Sequence, residues 1–380
     1  MIVTTRTLSR SDVVVLAVGA AAVVAAGALH YGGVPAVLAF VVAGVAVALL
    51  ASLVGRSVEQ LGDRFGPGAT GVLQSALGNL PELFIGFFAL KAGLLAVVQA
   101  AIIGSILSNI LLVLGLAFVV GGLRHGPQRF DSGRARTSAV LMVLATAALV
   151  MPSLAQYVHA PAAPHEKALS IVVSVVLLGV FLLSLPSALQ RTPAVPSAAP
   201  DPSSAAPASS APAKAQAAPA KASEHEGPRW PLWLAVTMLT GASVAAALVS
   251  DWFVSALEPA IDALGVSQAF AGLVIVAIAG NAIENVVGIQ LAYRNQADFA
   301  MSVIIQSPLQ VALVLAPVLV LLSLFTATTL TLVFAPLLVM AVAVAVLATA
   351  FIVFDGESTW LEGVTLIALY AIIATTFWWG

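Results

Sequence analysis

The chain has 380 residues, of which 61% are hydrophobic and only 8% charged, and its mean hydropathy is +1.07. Soluble domains carry about a quarter charged residues. The composition therefore excludes a soluble enzyme or a nucleic-acid-binding protein, and it predicts a multi-spanning integral membrane protein surrounded by lipid. The net charge of -2 says little about partners. Without cysteine, disulfides, thiolate metal ligands and thiol catalysis are excluded as well.

Apolar runs long enough to cross a bilayer as helices recur along the whole chain, and about eleven are expected. Backbone groups must be paired within lipid and no barrel-type alternation occurs, so the predicted fold class is all-α. The first run follows Arg6 and Arg10 and could be a cleaved signal peptide, but we favour a retained helix because the next run follows at once. The runs cover 12–30, 34–54, 68–90, 94–121, 137–158, 167–189, 231–255, 267–293, 298–324, 328–354 and 359–379.

Basic residues indicate the orientation of these helices, since cytoplasmic loops are enriched in Lys and Arg. With the N-terminus inside, Lys91 and Lys167 alone fall in outer loops, and the other 13 of the 15 basic residues fall inside. The C-terminus then lies outside. Short loops favour a bacterial inner membrane.

Residues 191–228 consist almost entirely of Ala, Pro, Ser and Lys, which predicts a disordered cytoplasmic linker. The expected divisions are an accessory helix (1–30), a first five-helix half (31–190), the linker (191–229) and a second five-helix half (230–380).

The two halves contain a repeat. A shift of 202 residues places 78–82 (GNLPE) on 280–284 (GNAIE) without a gap. The predicted third helix runs outward and the eighth runs inward, so the repeats are inverted and the layout is 1 + 5 + 5. Inverted repeats with broken polar helices are typical of secondary transporters. The same shift pairs Gly86 with Gly288, Ile103 with Ile305, Ser105 with Ser307 and Leu107 with Leu309.

Glu82 and Glu284 lie well inside their apolar runs. A carboxylate at membrane depth costs at least ~2.5 kcal/mol and needs a partner, a cation or a proton. Two such residues at equivalent positions of inverted repeats are expected to meet at one midplane site. The alternative is a permanently protonated pair that only ties two helices together.

Polar residues accompany both glutamates. Asn79 and Asn281 precede them by three residues on the same helix face, and Gly78 and Gly280 allow a local break or close approach. The alternative for these residues is packing and hydrogen bonding between helices. The next helix of each repeat supplies further candidates for the ion path, namely Gln99, Ser105 and Asn109 in the first repeat and Gln306, Ser307 and Gln310 in the second.

The candidate ligands are all oxygen atoms with a formal charge of -2 from the two carboxylates. Such a set suits Ca²⁺, Mg²⁺ or Mn²⁺ better than soft metals, and the same carboxylates can bind protons. A hard divalent cation and protons are therefore the expected transported ligands, with no separate cofactor. Oligomeric state is left open.

The stretches 78–122 and 280–317 resemble the two α-repeats of cation/proton exchangers of the Ca²⁺/cation antiporter superfamily. The resemblance implies Ca²⁺/H⁺ exchange by alternating access, with Glu82 and Glu284 as the central residues and Glu284 as the direct ligand. Three positions depart from the family pattern: Pro81 precedes the first Glu, Asn285 replaces a His, and Gln306 replaces a Gly.

Several functions compete with this interpretation. A sodium-driven Ca²⁺ exchanger or a monovalent cation/proton antiporter would use a similar site. A passive cation channel belongs to a different class, and inverted repeats within one chain favour a carrier over it. An enzyme is not expected, because no His cluster or convincing Ser–Lys pair lies at midplane depth.

Overall fold

A computed structural model describes residues 8–64, 73–74, 77–189 and 229–379. The expected linker at 191–228 lies outside the described residues. Within the described ranges, one 3₁₀ turn (Ala163–His165) and two short strands, β1 (Gln128–Arg129) and β2 (Glu357–Ser358), accompany the helices, and the strands pair antiparallel. The helices are α1 (Arg10–Tyr31), α2 (Ala36–Gly62), α3 (Leu80–Lys91), α4 (Leu95–His125), α5 (Ser132–Tyr157), α6 (Glu166–Leu189), α7 (Leu232–Leu264), α8 (Gln268–Gly280), α9 (Ala282–Tyr293), α10 (Ala297–Ser323), α11 (Pro336–Ile352) and α12 (Trp360–Thr376).

Seven of the described helices are long and apolar enough to cross a membrane, and there are up to eight if the bent pair α8–α9 forms one span. This confirms a mostly helical, multi-pass membrane protein. The helices α11 and α12 are apolar but shorter. The count of eleven spans stays a prediction.

Local sequence explains where several helices begin and end. A capping box forms at Ser9 and Asp12 at the start of α1, and a second one forms at Thr359 and Glu362 at the start of α12. In each box the hydroxyl of the first residue accepts a hydrogen bond from the backbone N–H of the second. The carboxylate of the second residue accepts one from the backbone N–H of the first. The long helix α7 ends at Gly265, whose φ of 65° is left-handed and suits a glycine.

Burial separates a central group of helices from a peripheral one. In their most apolar windows, α4 is 83% buried and α10 is 72% buried, whereas α1 is 11% buried. A helix that is apolar on all sides yet little buried must face lipid. The helices α4 and α10 are the second helices of the two repeats, so the repeats meet at the centre of the protein.

Both central helices contain a π-helical segment at the same place in the repeat. The segments are Ser108–Val113 in α4 and Val311–Leu315 in α10, and a third covers Ala271–Val276 in α8. Short π segments inside α-helices are frequent at functional sites. The two sequence repeats therefore also share this irregularity of the helical backbone.

The predicted span 328–354 is wrong at its start, since residues 324–335 are not helical and α11 begins only at Pro336. Leu330, Leu332 and Phe334 are nevertheless almost fully buried. Side chains from other helices pair with the backbone of this extended segment. Ser153 Oγ donates to Leu332 O and accepts from Phe334 N, and Ser170 Oγ accepts from Leu332 N, each at 2.9 Å. Extended backbone at membrane depth is tolerated only where protein satisfies it in this way.

We expect Ser153→Ala to reduce the free energy of unfolding by about 1–3 kcal/mol, because it leaves the Phe334 N–H and the Leu332 carbonyl buried without a partner. Thermal unfolding in detergent should show a lower midpoint than wild type. Thr375→Ala is the control, since its exposed hydroxyl bonds only to its own helix at Ala371 O. An unchanged midpoint in Ser153→Ala would contradict this account of the extended segment.

Candidate ion-binding site between the two repeats

Each repeat breaks its first helix at an asparagine, and the two breaks have nearly the same backbone conformation. Asn79 has φ -93° and ψ 17°, and Asn281 has φ -94° and ψ 11°. The axes of α8 and α9 differ by 64° across the second break. The glutamates Glu82 and Glu284 lie in the first turns of α3 and α9. Helix N-termini carry unpaired N–H groups and a positive dipole end, so both carboxyls lie where negative charge is favoured.

Glu82 is only 8% exposed and packs against the other repeat. Its Oε1 accepts a hydrogen bond from Ser105 Oγ at 3.1 Å. A Cβ on Gly280 would lie 2.6 Å from Glu82 Cγ, so the break of the second repeat admits this side chain only because position 280 has none. The sequence indicated a close approach at Gly280, and the group that approaches it is the side chain of Glu82.

A chain of hydrogen bonds joins the two repeats behind the carboxyls. Asn109 Nδ2 donates to Ser105 O at 2.9 Å and to Ser307 Oγ at 3.2 Å. Ser307 Oγ lies 3.3 Å from Asn281 Oδ1, to which it donates. Ser105, Asn109, Asn281 and Ser307 are each 3% exposed or less. The structure thus brings four of the sequence-predicted polar residues into one connected, buried group.

Glu284 is less deeply enclosed than Glu82. Its side chain is partly exposed, whereas that of Glu82 is buried. It also lines a cavity of about 680 Å³ that we call the N-side cavity, because Ser9 and Asp12 at the start of α1 line its other end. Among the described residues, the N-side cavity therefore connects one glutamate to one face of the protein.

Glu82 instead lines a pocket of about 20 Å³, which we call the closed pocket and which extends along α3 and α4 towards Ala89 and Val97. Leu319 fills its far side, where a Cβ on Gly86 would lie 2.8 Å from Leu319 Cδ1. The closed pocket is little larger than a single probe sphere. The two glutamates thus differ in access, one facing an open cavity and one facing packed side chains.

Three acceptor oxygens of this region are buried without a hydrogen-bond partner among the described residues. They are Glu82 Oε2, Glu284 Oε2 and Asn109 Oδ1. A buried acceptor without a partner costs about 1–3 kcal/mol, and more for a charged group. Three such atoms on neighbouring residues are an arrangement that a hard cation or protons would stabilise.

The remaining candidates from the sequence lie around this group or apart from it. Asn79 Nδ2 donates to Gln310 Oε1 at 3.3 Å, which links the two repeats a second time. A Cβ on Gly78 would lie 2.5 Å from Gln74 O, so the first break also needs a glycine. Gln306 is exposed and lines the N-side cavity.

Gln99 lies outside the hydrogen-bonded group. Its Nε2 donates to Thr331 O and Val333 O, at 3.1 and 2.8 Å. This amide therefore holds the extended segment 324–335, a partner that the sequence pattern did not indicate.

Sequence reasoning missed a polar cluster at the mouth of the N-side cavity. Arg56 forms an ion pair with Asp12 at 2.8 Å, and Gln60 Oε1 accepts from the backbone of Arg229 and Trp230. The i, i+4 spacing of Arg56 and Gln60 could have indicated this cluster, because residues four apart share a helix face. The helix α2 does continue past its apolar run to Gly62.

Known proteins are similar to this chain over nearly its full length. The model of the sodium/calcium exchanger protein family matches residues 35–188 and 234–379. A Ca(2+)/H(+) antiporter of Synechocystis sp. is 36% identical over 351 residues, which cover 92% of this chain and 93% of the relative. The Ca(2+)/H(+) antiporter ChaA of Bacillus subtilis is 34% identical over 371 residues, which cover 97% and 99%.

Solved structures give the same result. Native YfkE superposes with a TM-score of 0.75 at 32% identity and covers 96% of this chain and 98% of its own. The H+/Ca2+ exchanger CAX superposes with a TM-score of 0.71 at 16% identity, which shows a common fold alone, over 97% and 92% of the two chains. The family model covers most of the chain and two relatives exceed 30% identity, so this chain belongs to the sodium/calcium exchanger protein family.

Proposed function

We propose that this protein is a Ca²⁺/H⁺ antiporter, a secondary transporter rather than an enzyme. It exchanges the two ions by alternating access at a site built on Glu82 and Glu284. The observation that carries the proposal is the pair of passages at the two glutamates, one of about 680 Å³ and one of about 20 Å³. Relatives named Ca(2+)/H(+) antiporter align over 93% and 99% of their own lengths, which supports the choice of ions.

The repeat relates the two passages to each other. The shift of 202 residues converts Glu82, Ile85, Ala101 and Ser105 of the closed pocket into Glu284, Val287, Val303 and Ser307, all of which line the N-side cavity. The cavity and the pocket are thus the same passage in the two repeats, at different widths. A carrier that alternates between two faces requires this relation.

The ligand set explains why Ca²⁺ and protons would compete. Two carboxylates compensate the charge of one divalent cation, and the oxygens of Asn281 and Ser307 belong to the adjoining hydrogen-bonded group. Among the described residues no group of three or more His, Cys, Asp or Glu forms a metal cluster, so the carboxylate pair carries the charge. Protonation of the same pair removes that charge and releases the cation.

Charge also explains why exchange would be coupled. A site with two ionised carboxylates and no cation is costly inside the membrane, whereas the Ca²⁺-loaded and protonated sites are each compensated. Only the compensated forms would then pass between the two access states. Glu284 faces the N-side cavity and would meet an incoming ion before Glu82 does.

The arrangement in the membrane belongs to the same proposal. We propose eleven spans in a 1 + 5 + 5 order, the N-terminus in the cytoplasm, and the N-side cavity open to that compartment. The family match stops at 188 and resumes at 234, which supports a linker at 191–229 between halves at 31–190 and 230–380. The accessory helix within 1–30 precedes the first matched residue.

Glu82→Gln and Glu284→Gln should each abolish Ca²⁺ movement driven by a pH gradient. Breaking a buried charge pairing costs about 3–5 kcal/mol, so initial rates should fall by roughly 100-fold or more. The assay uses sealed liposomes with a Ca²⁺ dye inside and no sodium. Glu258→Gln, an exposed acid on α7, is the matched control and should keep the wild-type rate.

Other outcomes of this assay separate the competing functions. Movement of Ca²⁺ only after sodium is added would assign the protein to sodium-driven exchange. Movement down the Ca²⁺ gradient without saturation or counterflow would indicate a channel. Wild-type exchange in Glu284→Gln would overturn the assigned role of that residue.

The apparent affinity for Ca²⁺ should fall as pH is lowered on the side that faces the N-side cavity. Protons and Ca²⁺ bind the same carboxyl oxygens, so each proton bound must leave before the cation can be held. Initial rates against Ca²⁺ concentration at several pH values give this dependence. Equal half-saturating Ca²⁺ concentrations at all pH values would show that the two ions do not share a site.

A further inference from the structure

The repeat reaches beyond the two central helices into the helix that follows each of them. Residues 143–147 of α5 and 346–350 of α11 are both VLATA, related by a shift of 203 residues. Each motif contains one buried threonine, Thr146 or Thr349. The helix α11 packs against the π segment of α4, and α5 packs against that of α10. The equivalent threonines therefore belong to helices that contact the π segment of the other repeat.

Thr349 supplies a donor that the backbone of the α4 π segment lacks. Leu114 N donates to Asn109 O and Leu111 O, which lie five and three residues before it. The carbonyl four residues before it, Ile110 O, accepts instead from Thr349 Oγ1 at 3.2 Å. Thr349 is fully buried, so this bond is shielded from water. The hydroxyl therefore pairs a carbonyl that the irregular backbone leaves out.

The π segment of α10 does not use such a hydroxyl. It ends two residues before Pro317, which has no N–H with which to restore the α pattern. The shift of 202 places Gly115, which has an N–H, at that position of α4. Thr146 Oγ1, the counterpart of the Thr349 hydroxyl, has no hydrogen-bond partner among the described residues. A proline therefore disfavours regular α spacing in α10, whereas α4 depends on a hydroxyl from a neighbouring helix.

Both flanks of the α4 π segment are in direct backbone contact with other helices. A Cβ on Gly104 would lie 2.5 Å from Leu273 Cα of α8, and a Cβ on Gly115 would lie 2.7 Å from Gly363 O of α12. Neither flank can turn without separating these backbones, so any adjustment of α4 falls on the residues between them. Asn109, which bridges the two repeats in the hydrogen-bonded group, is one of these residues.

We propose that Thr349 is a positioning residue for the ion-binding site. By pairing Ile110 O it holds the π turn that aims the adjacent Asn109 at the second repeat. Asn109 donates to Ser307 Oγ and keeps its Oδ1 among the acceptor oxygens without a protein donor. Without the hydroxyl, the segment shifts to pair its own carbonyl and Asn109 moves with it. The inference rests on the exchange function proposed above and adds a residue outside the site that sets its geometry.

Thr349→Val removes the hydroxyl and keeps the shape of the side chain. In the liposome assay the half-saturating Ca²⁺ concentration should rise at least about threefold, as expected for the loss of one hydrogen bond. The maximal rate should stay within about twofold of wild type, because binding rather than movement is weakened. Thr349→Ser retains the hydroxyl and should restore the wild-type half-saturating concentration.

Thr146→Val is the matched control, because it makes the same substitution in the same motif of the other repeat. It should keep the wild-type half-saturating concentration, since the Thr146 hydroxyl has no described partner to lose. Ser153→Ala lowers stability at the non-helical segment and should also keep it, which separates positioning from a general loss of stability. Thr349→Ala gives the same comparison if the valine variant does not fold.

A wild-type half-saturating concentration in Thr349→Val would overturn the positioning role, and so would an equal rise in Thr146→Val or Thr349→Ser. Amide hydrogen exchange of segment 108–114, followed by mass spectrometry, adds a readout that needs no ion gradient. It should be faster in Thr349→Val and unchanged in Thr146→Val, and equal exchange in both would also overturn the inference. Failure of the proposed function would instead appear in the wild type, which would then not exchange Ca²⁺ for protons.

Discussion

The cost of holding two carboxyl groups inside an apolar helical protein is the constraint on which the rest of this structure depends. Glu82 and Glu284 are each in the first turn of a helix that starts at a break, where unpaired N–H groups and the helix dipole favour negative charge. The breaks need Gly78 and Gly280, and the second of these admits Glu82 itself. The hydrogen-bonded group of Ser105, Asn109, Ser307 and Asn281 then fixes the surroundings. What remains, among the described residues, is a set of acceptor oxygens without a protein donor, which a cation or protons would satisfy.

A second constraint is that backbone groups in a membrane must be paired within the protein. The described helices, π segments included, meet it internally, whereas the breaks and the non-helical residues 324–335 are exceptions within the described part of the chain. Each exception lies among other helices, and side chains such as Ser153 and Gln99 supply the missing partners of the extended segment. The non-helical backbone at residues 331–334 is therefore paired by side chains of neighbouring helices.

The repeat is nearly symmetric in local conformation but not in packing. Both asparagine breaks have the same backbone angles, and both central helices have a π segment at the same place. Yet a cavity of about 680 Å³ leads to Glu284 while about 20 Å³ lies beside Glu82. Two equivalent structures in unequal surroundings are what a carrier needs, since exchanging the surroundings exchanges the accessible face.

The sequence by itself determined the membrane class, most of the helical segments, the repeat and the paired residues Glu82 and Glu284. These follow from composition, hydropathy and comparison of the chain with itself. Such local properties suffice for a membrane protein, because each span must be apolar along its own length. Only the tertiary structure decided that Gln99 binds residues 331 and 333, that residues 324–335 are not helical, and that Glu284 rather than Glu82 faces the larger cavity. Those outcomes depend on contacts between residues at least 162 positions apart, and hydropathy carries no information about which neighbour a polar side chain will find.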